Sequence, residues 1–286
     1  MSSLGESNAE PRHVRFATRL RHAALPIVVA YLFRTVAGFA MAGAPILGLS
    51  SLFRHAPGGD RDILKNGGLV LLEALWQSTR SFGHWTRDLG IAAVVVAIVG
   101  LFPLAFLVVA LAETGRPPTR GWFLKGLRLF PTYFVLLGVA VLGTVVLFIV
   151  GVQAASFVAP PFDTPAHAAE TALILCVALL PIFALGLVHD VARVAAVARG
   201  ARFYDAASRA VVVARRRSLA IIAARILSGL ASLGLITIGL VVPFAVGLSS
   251  GARWIAATLM QQLCVLLLVV VRAAYFARLV DVERTA

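Results

Sequence analysis

The sequence predicts an all-α, polytopic integral membrane bundle: six transmembrane helices with amphipathic elbow helices on the cytoplasmic side. Three observations predict it. Of 286 residues, 60% are hydrophobic and 14% charged, whereas a soluble domain carries about 45–50% and 25%. Six apolar runs are each long enough to cross a hydrocarbon layer about 30 Å thick. The charge is also sorted. With six spans, the termini and two elbow connections hold 20 Lys/Arg and seven Asp/Glu, and the opposite connections hold six of each, so the whole net charge of +13 falls on one face. Lys and Arg accumulate on the cytoplasmic side of membrane proteins, which places both termini there. Five or seven spans break the asymmetry.

Residues 1–11 are polar and are expected to form a disordered tail. Arg12, Arg15, Arg19 and Arg21 lead into a first span at about 27–50. This start imitates a secretory signal, but Arg34 interrupts the apolar core and the basic lead-in is long, so cleavage is not expected. In the connection 51–88, His55-Ala-Pro-Gly-Gly-Asp60 reads as a turn. A helix from Asn66 or Gly67 to about Arg80 is expected to lie in the interface, anchored by Trp76 and Trp85.

The second span, about 89–111, ends at Glu113 and the turn Thr114-Gly-Arg-Pro-Pro118. A basic elbow, Arg120 to Arg128 with Trp122 and Phe123, precedes the third span at about 130–152. A proline-bearing linker leads to the fourth, about 170–189, with a kink near Pro181. The arginine-rich elbow Arg199 to Arg217 precedes the fifth, about 219–248. A tight hairpin leads to the sixth, about 254–277. Residues 12–280 thus make one membrane domain, followed by a short tail, 281–286. Elbow, outward span and return span recur three times, which suggests a repeated hairpin. Each elbow is expected to lie in the inner leaflet, arginines toward phosphates.

The chemistry-bearing residues are few. Cys176 and Cys264 sit in apolar runs and are expected to be buried apolar residues. The six histidines show no metal-ligand spacing, so no metal is expected. No cofactor or catalytic motif stands out, and the basic charge is explained by topology, so a nucleic-acid partner is not expected. The ionisable residues at membrane depth are candidates by default. Arg34, Arg225 and Arg272 each lie toward the cytoplasmic end of a span, where Asp190, Arg193 and Glu113 also fall. The expectation is a polar cluster of Arg34, Glu113, Asp190, Arg193, Arg225 and Arg272, read either as salt bridges between helices or as a pocket for anionic lipid headgroups. Gln261 and Gln262 are candidate inward-facing polar residues. Gln261 and Arg272 lie about 20° apart on a helical wheel and so share a face.

Several stretches carry a family resemblance: Ala112-Glu-Thr-Gly-Arg-Pro-Pro118 with Phe123–Arg128, Asp190-Val-Ala-Arg193 with Ala207 to Arg217, Gln261-Gln262 through Arg272, and Pro57-Gly-Gly with Gly67-Gly-Leu-Val-Leu-Leu-Glu73. In these the chain resembles uncharacterised bacterial six-span membrane proteins and, more loosely, the membrane domain fused to some glycerophosphodiester phosphodiesterases. No counterpart of the phosphodiesterase domain is seen, so that activity does not carry over, and the resemblance implies an all-helical membrane domain of unknown biochemical role. The functional expectation is a non-enzymatic protein of the bacterial inner membrane, assisting envelope or lipid processes through lipid contact or a partner protein. The alternative is a small-solute or lipid transporter, with Pro103, Pro181 and Pro243 marking broken helices.

Overall fold

The computed structural model describes residues 12–53, 79–113, 119–158, 165–200, 202–246 and 251–286. Among them are eight helices and no strand: α1 (Arg12–His22), α2 (Ala24–Phe53), α3 (Thr79–Ala112), α4 (Thr119–Val158), α5 (Pro165–Ala178), α6 (Leu180–Arg199), α7 (Phe203–Val246) and α8 (Gly251–Arg284). Six spans within them are long and apolar enough to cross a membrane, α5 and α6 counting as one. The chain is a multi-pass membrane protein. The expected tail 1–11 and most of the interfacial helix 66–80 lie outside the described residues; Thr79 and Arg80 open α3.

The helix α8 is the hub. It packs against α7 most extensively and also touches α1, α2, α3 and α6. The fourth span breaks at Leu179, one residue before α6 and two before Pro181. Proline lacks the N–H that would continue the ladder, so the break falls near the predicted kink. At that break the backbone of α4 comes close, because a Cβ on Gly151 would lie 2.8 Å from the carbonyl oxygen of Ala178.

One of the three elbows differs from expectation. α1 is a separate helix. The arginine-rich stretch ends at Arg217, whose backbone is non-helical (φ −127°, ψ 27°), so α7 is two helices meeting at a kink, at the expected boundary between elbow and fifth span. The basic stretch 120–128 is instead the first part of the continuous helix α4.

The core lies at the basic end. Leu101 and Ala105–Ala112 of α3, Val191–Ala196 of α6 and Ala273, Tyr275–Ala277, Leu279 and Val280 of α8 are buried. Ala206, Ala210 and Val213 of α7 are fully buried and share one helical face. Small side chains there let the stretch of α7 before the kink sit close to its neighbours. Toward the other end, Val139, Leu142 and Phe148 of α4, Leu230 and Leu240 of α7 and Leu259 of α8 are exposed, as suits surfaces solvated by acyl chains. Cys176 is exposed among them, and only Cys264 is buried as expected.

The last residues are not a loose tail. The helix runs to Arg284 and is held by arginines. Arg19 pairs with Asp281. Arg199 and Arg209 both reach Oε1 of the buried Glu283, at 3.0 and 3.4 Å. Arg284 donates to the carbonyl oxygen of Ala112, capping α3. Arg216 and Arg217 donate to the carbonyl oxygens of Ala286 and Thr285.

Candidate functional site: an arginine-lined cavity at membrane depth

Asp190 organises the site. It lies on α6, 3% exposed, and its carboxylate is shared by three helices. Arg225 of α7 donates through Nη1 to Oδ2 at 2.9 Å, and Arg272 of α8 through Nη2 to Oδ1 at 3.1 Å. Arg193, one turn along α6, approaches Oδ1 at 3.5 Å. A buried carboxylate is costly unless its lone pairs are filled, and charge-assisted bonds from guanidinium groups fill them.

Aromatic rings hold the guanidinium planes. Arg225 and Arg272 stand over the ring of Tyr275, at 5.5 and 5.4 Å, and Arg272 also over Phe276 at 4.7 Å. Arg193 faces the ring of Tyr133 at 6.0 Å, and the Tyr133 hydroxyl donates to the carbonyl oxygen of Arg193 at 3.0 Å. Ring faces attract cations and leave the N–H groups at the guanidinium edges free to bond. Tyr275 follows Arg272 by three residues and Phe276 by four, spacings that share a helical face.

Arg34, Arg225 and Arg272 line one cavity of about 590 Å³ between α2, α3, α7 and α8. Ser228 and Ser232 add hydroxyls, and Phe33, Leu104, Leu107, Ile236 and Leu268 supply apolar wall. Arg34 makes no ion pair among the described residues, and the charge of Arg272 acts on it repulsively. Arg225 and Arg272 also line a second cavity of about 370 Å³, with Thr144, His189, Asp190 and Arg193. The bridged arginine pair is thus a partition between two spaces.

The cluster sits at one depth. From Gly251 to Arg272, and from Arg225 to Val246, the helices rise about 32 Å. From Arg34 to Phe53 the rise along α2 is about 29 Å. Each is close to one hydrocarbon thickness, so each arginine stands about one hydrocarbon thickness from the far end of its helix.

The structure separates Glu113 from this cluster. It accepts from Trp122 Nε1 at 2.7 Å and pairs with Lys125. The reason is length: α3 continues past the level of Arg34 before it ends, and the rigid first turns of α4 bring Trp122 and Lys125 back onto its last residue. Glu113 instead lines a third cavity, about 910 Å³, at the basic end, with Arg128, Arg199, Arg202 and Arg284. Trp122, read as part of an interfacial elbow, is buried against Phe106.

The glutamines tie helices together. Gln262 accepts through Oε1 from the Tyr31 hydroxyl at 3.0 Å and lies 3.4 Å from Thr35 Oγ1, joining α8 to α2. Gln261 is exposed, which corrects its inward placement, and its amide reaches the carbonyl oxygen of Gly239 on α7 at 3.3 Å. Among the described residues no group of three His, Cys, Asp or Glu is arranged to hold a metal ion. No family model, curated protein or solved structure matches this chain, so function has to be argued from the site itself.

Proposed function

We propose that the chain is a non-enzymatic membrane protein that holds an anionic lipid headgroup of the cytoplasmic leaflet in the cavity of Arg34, Arg225 and Arg272. One observation carries the reading: three arginines line a single cavity with a largely apolar wall, and one carboxylate, Asp190, pairs with two of them. Phosphate oxygens suit guanidinium forks, and the apolar wall suits acyl chain. The basic end is cytoplasmic in this reading, by the sorting of Lys and Arg, and the host is the bacterial inner membrane. Arginines near an anionic leaflet each contribute about 1 kcal/mol of attraction.

Native mass spectrometry from nanodiscs tests it. The protein released from phosphatidylglycerol nanodiscs is expected to retain lipid that it does not retain from phosphatidylcholine. Gly229→Phe fills the cavity, where a Cβ has open space, without removing a charge, and is expected to abolish retention. Equal retention from both lipids, or full retention by G229F, would refute the reading.

A second reading, passage of a headgroup or small anion across the bundle, is favoured by the two cavities that meet at Arg225 and Arg272. Opening the partition breaks the bridges to Asp190. Anion-driven or lipid-flipping activity in proteoliposomes, lost on cross-linking α6 to α7, would select it over simple retention.

A further inference from the structure

We infer that the cavity takes a doubly charged phosphate head, a phosphomonoester at the end of a lipid chain, in preference to a singly charged phosphodiester. The inference rests on the anionic-lipid reading above and narrows its ligand.

The charge balance around the cavity carries it. Arg34, Arg225 and Arg272 bring three positive charges to the wall. The one carboxylate beside them, Asp190, bonds Arg225 and Arg272 and removes one charge at most, so two remain. Arg193 leans on the same carboxylate at 3.5 Å and leaves less of it for the others. A phosphodiester brings one negative charge, so one guanidinium would still face an apolar cavity unpaired. A phosphomonoester, whose second ionisation lies near pH 6, brings two beside arginines at neutral pH.

Donor geometry points the same way. Asp190 engages Nη1 of Arg225 and Nη2 of Arg272 from the side of the smaller cavity, which it lines, whereas it is not part of the larger cavity's wall. A guanidinium has five N–H donors. With one of them spent on Asp190 and the planes held over Tyr275, further donors of both arginines remain for the larger cavity. Arg34, which makes no ion pair among the described residues, adds its fork from α2, and Ser228 and Ser232 add hydroxyls. A terminal phosphate has three free oxygens to meet them, and a diester has two. Phe33, Leu104 and Ile236 make the rest of the wall apolar, which favours a head carried on a hydrocarbon chain over a free ion.

The test is competition in phosphatidylcholine nanodiscs holding equal amounts of phosphatidic acid and phosphatidylglycerol, read by native mass spectrometry at neutral pH. Phosphatidic acid is expected to be retained about tenfold more, the worth of one extra charge-assisted bond. In Arg34→Gln the preference is expected to fall to near unity, with both lipids held more weakly than by the unaltered protein. Arg34 bridges nothing among the described residues, so this variant keeps the Asp190 ion pairs. Equal or greater retention of phosphatidylglycerol by the unaltered protein would overturn the inference and leave the lipid site standing. Retention of neither lipid would overturn both. A parallel arm adds inorganic phosphate or pyrophosphate to nanodiscs of phosphatidylcholine alone. Binding of the free ion as tight as that of phosphatidic acid would overturn the lipid part of the inference.

Discussion

Arg225 on α7 and Asp190 on α6 are joined by a 2.9 Å bond whose carboxylate is simultaneously bonded to Arg272 on α8. The pairing makes Asp190 the pin of three helices. Asp190→Asn removes the charge and keeps the shape, leaving Arg193, Arg225 and Arg272 to repel one another. Removing one partner of a buried pair costs about 3–5 kcal/mol, and the partial exposure of Arg225 and Arg272 lowers this to about 2–3 kcal/mol. The thermal midpoint in detergent is expected to fall, and added anionic lipid is expected to restore part of the loss by supplying the missing charge. A midpoint that anionic lipid fails to raise would mean that the arginines do not face a lipid-accessible cavity.

Gly151 sits where α4 crosses the break between α5 and α6. A methyl group there meets the backbone oxygen of Ala178 at 2.8 Å, and backbone cannot swing aside as a side chain does. Gly151→Ala is expected to destabilise by about 1–3 kcal/mol, the usual cost of overpacking. Gly138, on the same helix, has no atom within 4 Å of its would-be Cβ, and Gly138→Ala is expected to be neutral or slightly stabilising. Thermal melts of the two variants side by side separate packing from helix propensity. Equal midpoints would show that α4 and the break are not in close contact.

Asp190, Arg193, Arg225 and Arg272 were legible as one cluster because membrane depth is a one-dimensional quantity. Hydropathy gives each span's ends, and residues at the same distance from them can meet. Glu113 has nearly the right depth by that measure and still lies elsewhere. What separates it is that α3 runs on past the level of Arg34, buried from Ala105 to Ala112, before it ends, so the start of α4 brings Trp122 and Lys125 to it instead. The elbow 120–128 differs for a related reason: basic amphipathic sequence describes a separate interfacial helix and the first turns of a longer helix equally well, whereas the elbow before the fifth span does end at a kink, Arg217. Tyr275, Phe276, Ser228 and Ser232 were missed although their spacing from Arg272 and Arg225 puts them on the same faces. Tyrosine and serine are common enough in spans that the spacing becomes informative only once the arginine is known to point inward. Gln262 was recognisable as an inward-facing polar residue, but its partners Tyr31 and Thr35 depend on how α2 is rotated, which pattern alone does not determine.

The Tyr133 hydroxyl ties α4 to α6 through the carbonyl oxygen of Arg193, and its ring faces the Arg193 guanidinium. Tyr133→Phe keeps the ring and loses the bond. A loss of about 1 kcal/mol is expected, with lipid retention unchanged, because Tyr133 lines neither cavity that the arginine pair divides. Tyr133→Leu also removes the ring face, worth about 0.5–2 kcal/mol to the cation, and is expected to cost more than the phenylalanine variant. Lipid retention measured with the melts distinguishes support of Arg193 from a direct part in binding. A phenylalanine variant that melts normally but loses lipid would place Tyr133 in the site.

The sorting of charge makes a prediction that needs no ligand. Arg202 lies between α6 and α7 at the basic end, and Ala252 lies at the start of α8 at the other; both are exposed. Single cysteines at these positions, with Cys176 and Cys264 replaced by Ala, report the side each occupies. An impermeant maleimide applied to spheroplasts is expected to label Ala252→Cys and to leave Arg202→Cys untouched until the membrane is opened. The physical reason is the cost of carrying Lys and Arg outward during insertion: the inverted arrangement would expose Arg199, Arg202, Arg209, Arg215, Arg216 and Arg217 on the far side. Labelling of Arg202→Cys from outside would invert the bundle. The arginine cavity would then open to the outer leaflet, and both the phosphate-head inference and the search for its lipid would have to be redirected there.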